Sequence, residues 1–334
     1  MNRRPRIALT VGDPAGIGPE IVHAALAEPS VRGAMDVIGI GPARLAPPGL
    51  RVALAAEDAL DLRASDEGAV WLATHADDRE ESWELGRPQA SAGRAALAAL
   101  RAGAELAHRG EVDALVTAPV SKEALHLAGE RCEGQTQLLG RWAGVEAEML
   151  AIAGNLRVLL LTRHMPLRAA LDCLRADAVT EHLVLLDRGL VALGFVRPRI
   201  ACAGLNPHAG EAGILGSEER EILEPAIAAA RERGVDVSGP ESPDTVFQRA
   251  SVGAFDGVLA LYHDQAFLPV KFAEPRGGLT VLLRLPYLRV SPAHGTAFDI
   301  VGTGRADPSN LILALERAAQ WGPGFRAVST GPAR

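Results

Sequence analysis

Three histidines stand in separate short loops, each just behind an apolar run. They are His164 in RVLLLTRHMPL, His208 in RIACAGLNPHAGE and His263 in GVLALYHDQAF. In a parallel α/β sheet the carboxyl ends of the strands lie side by side and open onto the ligand crevice. Three imidazoles delivered there from distant parts of the chain can meet around one divalent ion, because neutral imidazole suits zinc and related metals. Taken singly, each is an ordinary loop histidine in a chain that has 9 of them. The shared place behind a strand, three times over, points to a metal-dependent enzyme.

Periodicity supplies the elements that must carry these loops. Strand-like runs fall at 6–11, 36–40, 113–117, 157–162, 199–203, 257–262 and 279–283. Most are continuously apolar, as in a sheet covered on both faces. Between them, 92–109, 178–194 and 217–233 read as helices. In the last, Ser217 is expected as the N-cap. Glu218 and Glu219 then fall in the first turn, where the dipole favours negative charge, and Gly234 is the stop. This alternation means α/β. Residues 42–90, with Pro42, Pro47, Pro48 and several acidic residues, read as surface structure. There is no internal repeat and no low-complexity tract.

A chain of 334 residues suggests two lobes. No linker is evident, so the second lobe is expected where the chain crosses over and returns. Apolar residues make up 48% and aromatics only 4%, so the core is Ala, Leu, Val and Ile. The net charge of −7 argues against a nucleic-acid partner. Cys132, Cys173 and Cys202 are widely spaced with no CxxC, and each is expected as a buried or free thiol in a reducing cytoplasm. The opening MNRRPRIALTVGDPAG is too short for a signal-peptide core, and no apolar stretch reaches the length of a membrane span. The expectation is a soluble, cytoplasmic protein with no membrane partner.

Two glycine-rich loops remain. TVGDPAGIGPE follows the first strand and precedes a helix, with Pro19 suited to the first helical position. It is neither GxGxxG nor GxxxxGK[ST], and a structural turn is favoured over an anion site. The run 294–310, HGTAFDIVGTGRADPSN, gathers His294, Gly295, Thr296, Asp299, Gly302 and Asp307. It reads either as a nest of exposed amides for a nucleotide or as a tight irregular connection.

At these residues the sequence resembles the 4-hydroxythreonine-4-phosphate dehydrogenase family nearly end to end. The likeness runs through TVGDPAGIGPE, VTAPVSK, GLNPHAGE, PDTVF, YHDQ and HGTAFDIVGTG. The last loop also resembles the nucleotide loop of isopropylmalate and isocitrate dehydrogenases. The resemblance implies a two-lobed isopropylmalate dehydrogenase-like α/β fold, with mostly parallel sheets flanked by helices and the active site in the interlobe cleft. Lobe one would be 1–125 plus 268–334, and lobe two 126–267, with the metal ligands and the dimer interface. NAD or NADP would sit on the 294–310 loop. One divalent ion (zinc, magnesium, cobalt or manganese) would sit on His164, His208 and His263. One of these would come from the partner in a homodimer with shared active sites.

The family's substrate contacts match Thr136, Lys271 and Arg289. Two positions depart: GHTE reads GQTQ, giving Gln135, and the family asparagine becomes Thr280, with Arg284 added nearby. Neither replacement reproduces the donors and acceptors it displaces. The implied reaction oxidises a secondary alcohol of a phosphorylated hydroxy acid. It would take 4-phosphohydroxy-L-threonine to 2-amino-3-oxo-4-phosphooxybutanoate, with decarboxylation to follow, in pyridoxal phosphate biosynthesis. The departures keep other substrates open: 4-phosphothreonate, 4-phosphoerythronate, or a terephthalate-type cis-dihydrodiol dicarboxylate. Lys271, Asp244 and Asp264 are the catalytic candidates, with an N-cap as the alternative for Asp244. A metal hydrolase using the same histidines would leave the 294–310 loop unexplained and lacks HExxH.

Overall fold

In the computed structural model, which describes residues 3–61, 68–74, 82–274 and 278–329, the apolar runs become strands of two compact units. One unit is made by the chain up to Ala147 and again from Leu285; the other is Glu148–Arg284. The crossings therefore fall at 147/148 and 284/285 instead of 125/126 and 267/268. Local packing explains the shift. The helix Lys122–Leu127 lies against the helix Ala90–His108 of the first unit, and the strand Leu279–Leu283 pairs with Glu148–Ala153 of the second.

The first unit holds β1 (Arg6–Thr10), β2 (Asp36–Gly41), β3 (Val52–Ala53), β4 (Ala69–Ala73), β5 (Ala114–Thr117) and β12 (Leu288–Pro292). Their order is β3-β4-β2-β1-β5-β12, with parallel pairing throughout. The second unit holds β6 (Glu148–Ala153), β7 (Leu156–Leu160), β8 (Ile200–Ala203), β9 (Val237–Glu241), β10 (Gly257–Ala260) and β11 (Leu279–Leu283). Here the order is β11-β6-β7-β10-β8-β9. The β11–β6 and β6–β7 pairs are antiparallel and the rest parallel. Parallel strands buried on both faces explain the unbroken apolar runs. No helix among the described residues is long and apolar enough to cross a membrane.

Two expectations need correction. The segment 42–90 is not only surface: β4 is buried along its length and sits one strand in from the edge. Its Trp71 donates Nε1–H to the carbonyls of Gly41 and Pro42 at 3.1 and 3.2 Å. Gly39 makes room for the ring, since a Cβ there would lie 2.6 Å from Trp71 Cε3. Ser217 gives no side-chain cap to its helix, while Glu219 does fall in the first turn as expected and is buried there. Gly234 does end that helix, at φ +86°.

Candidate active site

β7, β10 and β8 are neighbours in that order and all parallel, so their carboxyl ends present His164, His263 and His208 in turn. Side chains staple these ends together. Thr162 Oγ1 donates to the Leu261 carbonyl at 2.8 Å. Gln265 accepts from Leu261 N–H at 2.7 Å and donates through Nε2 to the Gly204 carbonyl at 2.8 Å. Both Thr162 and Gln265 are buried, where polar groups must find partners. His164 and His208 have left-handed backbone, φ 44° and 53°. A non-glycine residue there costs on the order of 1 kcal/mol or more, and such strain gathers at ligand sites.

The His164 and His263 rings stand with centroids 5.5 Å apart, tilted by 43°. With Tyr262, Met165 and Asp264 they line a cavity of about 390 Å³. His263 Nδ1 lies 2.7 Å from Asp264 Oδ1, a bond only the ring can donate, which leaves Nε2 to meet a ligand. His208 Nδ1 is 4.0 Å from Asp244 Oδ2. Asp244 is not an N-cap: Thr245 takes that position without a side-chain bond. The Ser242 hydroxyl donates to Asp244 at 2.5 Å and holds its carboxyl below the usual range.

Two imidazoles on one tetrahedral ion, each with a metal–nitrogen distance of about 2.0–2.1 Å, would have centroids roughly 5 Å apart. His164 and His263 fit that spacing. His208 does not complete it: among the described residues of one chain, no three His, Cys, Asp or Glu close around an ion. Lys271 is exposed, two turns beyond His263 on the helix His263–Ala273. Thr280 is buried in β11 beside Ala151.

Glu219 carries a role that sequence reasoning missed. Its buried carboxylate accepts from Leu205 N–H (2.8 Å), Asn206 N–H (2.7 Å) and Asn206 Nδ2 (2.9 Å). It thus pins the strand end that leads to His208. The signal was its spacing: Glu219 lies on the same stripe as buried Leu223, Ala226 and Ala230.

The first unit gathers a second group. Arg289 is buried, and its Nη2 donates to Thr117 Oγ1 at 2.7 Å and to Gln135 Oε1 at 3.4 Å. Burial lowers the guanidinium pKa to about 10. Gln135 and Thr136 open the helix Gln135–Ala143. The 294–310 loop docks on the turn after β1. Ile17 N–H donates to the Thr296 carbonyl at 3.0 Å, and Gly302 N–H to Glu20 at 2.7 Å. A Cβ on Gly16 would stand 2.8 Å from Thr296 O, so that glycine serves close packing. Gly295, Asp299 and Gly302 are exposed and His294 half-buried. Asp307 is occupied in capping the last helix, accepting from Ser309 N–H at 2.9 Å.

Residues 45–318 match the family described as pyridoxal phosphate biosynthetic protein PdxA. The chain is 41% identical over 325 residues to a 4-hydroxythreonine-4-phosphate dehydrogenase of Geobacter metallireducens, covering 96% of each. It is 41% identical over 320 residues to a D-threonate 4-phosphate dehydrogenase of Salmonella typhimurium, covering 94% of this chain and 98% of that one. A crystal structure of 4-hydroxythreonine-4-phosphate dehydrogenase from Klebsiella pneumoniae superposes with a TM-score of 0.83 at 39% identity, covering 95% and 99%.

Proposed function

The chain belongs to the PdxA family of pyridoxal phosphate biosynthetic proteins and is a dehydrogenase; from that premise we propose that it is metal-dependent and NAD(P)-linked, and oxidises a phosphorylated hydroxy acid. The first candidate substrate is 4-phosphohydroxy-L-threonine. The second is D-threonate 4-phosphate, favoured by Gln135 beside Arg289, where an amide replaces a group that can carry charge.

One observation carries the metal reading: three histidines on adjacent strand ends, two of them with rings 5.5 Å apart. Bound there, a divalent ion supplies Lewis-acid polarisation of a secondary hydroxyl, and a nicotinamide dinucleotide supplies the hydride acceptor. The protein's own groups do the positioning. Asp264 fixes the proton on His263 Nδ1, and Asp244, kept ionised by Ser242, faces His208. Lys271 brings a positive charge to the helix that starts at His263, and Arg289 holds an anion in the first unit.

A homodimer completes this reading. Large apolar side chains are exposed in the segments that follow each histidine: Met165 and Leu167, Ile214 and Leu215, and Leu268 and Phe272, the last 84% exposed. Such surface calls for a partner. A second copy would cover it and supply the missing imidazole. Three free cysteines favour the cytoplasm.

The test is cofactor reduction, followed by nicotinamide absorbance, with both phosphorylated acids and with metal removed and restored. Turnover should require metal. His208→Ala should abolish it while the protein stays folded; near-normal activity in that variant would refute the metal assignment.

A further inference from the structure

Glu148 is a carboxylate buried at the start of β6. β6 runs antiparallel to β7, with Leu150 opposite Leu159, so its first residue lies beside the exit of β7, where the His164 loop begins. There Arg163 Nη1 donates to Glu148 Oε2 at 2.5 Å. The Glu148 side chain is 7% exposed and that of Arg163 21%, so the pair is largely out of water. His182, in the helix Ala176–Ala192, closes the other side. Its Nδ1 donates to the Ala178 carbonyl at 2.8 Å, and its buried Nε2 stands 3.7 Å from Glu148 Oε1, beyond hydrogen-bond reach. Among the described residues the Glu148 carboxylate therefore accepts from Arg163 alone.

A buried ion pair is a poor source of stability, because desolvation offsets most of the attraction. What it supplies here is direction. The residue after Arg163 is His164, whose left-handed backbone at φ 44° persists only where its neighbours over-determine it. Thr162 is tied to the Leu261 carbonyl, on the β10 side of β7, and Arg163 to Glu148, on the β6 side. Two consecutive side chains thus anchor the chain to both neighbours of β7 just before it turns. Past the turn Met165 and Leu167 are exposed, so the anchors precede the imidazole. We propose that Glu148 is a positioning residue of the metal centre: through Arg163 it sets the turn that presents the His164 ring to the His263 ring. The proposal rests on the metal reading for what His164 binds, whereas the clamp on its backbone does not.

The experiment compares three full-length proteins: wild type, Glu148→Gln, and Glu148→Met combined with Arg163→Met. Glu148→Gln keeps the shape but strips the negative charge from a buried guanidinium. The double variant removes both charges and should recover the stability that the single change loses, so it decides the matter even where Glu148→Gln fails to fold. Amide hydrogen exchange is followed first, without metal. Exchange across 162–167 should quicken by about tenfold in both variants, with β8 and β9 unaffected. Cobalt(II) is then titrated and read by its visible absorption. Its affinity should fall by about 10–100-fold in both variants, as it does when an outer-shell support is lost. A double variant as stable as wild type and still weak for cobalt separates positioning from stability. Unchanged cobalt affinity in folded Glu148→Gln, or its full recovery in the double variant, would overturn the proposal, as would unaltered exchange across 162–167. A wild type that binds no cobalt defeats the metal reading, while the exchange arm still decides whether Glu148 holds the His164 turn.

Discussion

Asp13, in the turn after β1, is wholly buried; it accepts from Ala15 N–H at 2.9 Å while its Oδ2 finds no partner. Burial raises its pKa, the backbone bonds from Ala15 and Ser121 only partly opposing this. The sign for stability follows. Below about pH 4 both folded and unfolded chains carry the protonated acid. As pH rises, the unfolded carboxyl ionises first, and stability falls until the raised folded value is passed. Asp13→Asn removes this penalty, so its melting temperature should gain on wild type as the pH rises above about 4. A scan showing the reverse trend would mean that Asp13 is ionised and compensated. Cysteine reactivity belongs to the same scale. Cys202 is fully buried and its thiol is pushed up to about 12, whereas Cys173 is partly exposed. Thiol alkylation of the native protein should therefore mark Cys173 first. Single residues were the hardest to read from the sequence. The three histidines announced themselves by position, but Glu219, expected only as a first-turn acid, holds the backbone of Leu205 and Asn206. That role depends on unpaired groups contributed by another segment.

Elements were legible where one period dominated. β1, β2, β5, β7, β8, β10 and β11 lie within a residue or two of the apolar runs. β9 (VSGPE) carries glycine and proline, and β12 (LRVSP) mixes polar residues into a buried strand. Both are built by pairing with neighbours, which outweighs weak intrinsic preference. β6 joins β7 across only Gly154–Asn155, a hairpin signal hidden by the strong run that follows. What aligns the histidine loops is equally non-local: Gln265 reaches from one strand end to the next. Gln265→Met keeps the volume but leaves Leu261 N–H and the Gly204 carbonyl unpaired. It should cost about 2–4 kcal/mol in denaturant unfolding. It should also loosen divalent-metal affinity by about 10–100-fold, as loss of an outer-shell support does. Metal affinity unchanged in the folded variant would show that this staple does not serve the histidines.

At the scale of the whole molecule, α/β alternation and a chain that leaves its first unit and returns were both readable, while the crossing points depended on which helices pack where. The ligand set has the same character. Two imidazoles converge within one chain and the third does not, so the proposed ion would take its third imidazole from a second copy. If His164 and His263 of one protomer share an ion with His208 of the other, ligand variants should complement each other. Neither His164→Ala nor His208→Ala should turn over alone. Each mixed dimer carries one site lacking both residues and one site that is whole. Co-refolding or subunit exchange in equal amounts should then restore activity toward about a quarter of wild type, since about half of the dimers are mixed and half of their sites intact. A trio contained within each chain gives no restoration, because every site lacks one imidazole whatever its neighbour. Phe272→Asp with Leu268→Asp supplies the companion measurement. Placed on the exposed face of the helix His263–Ala273, the two charges should convert the species seen in sedimentation to a monomer and remove turnover together. A charged variant that stays dimeric and active would put the seam elsewhere.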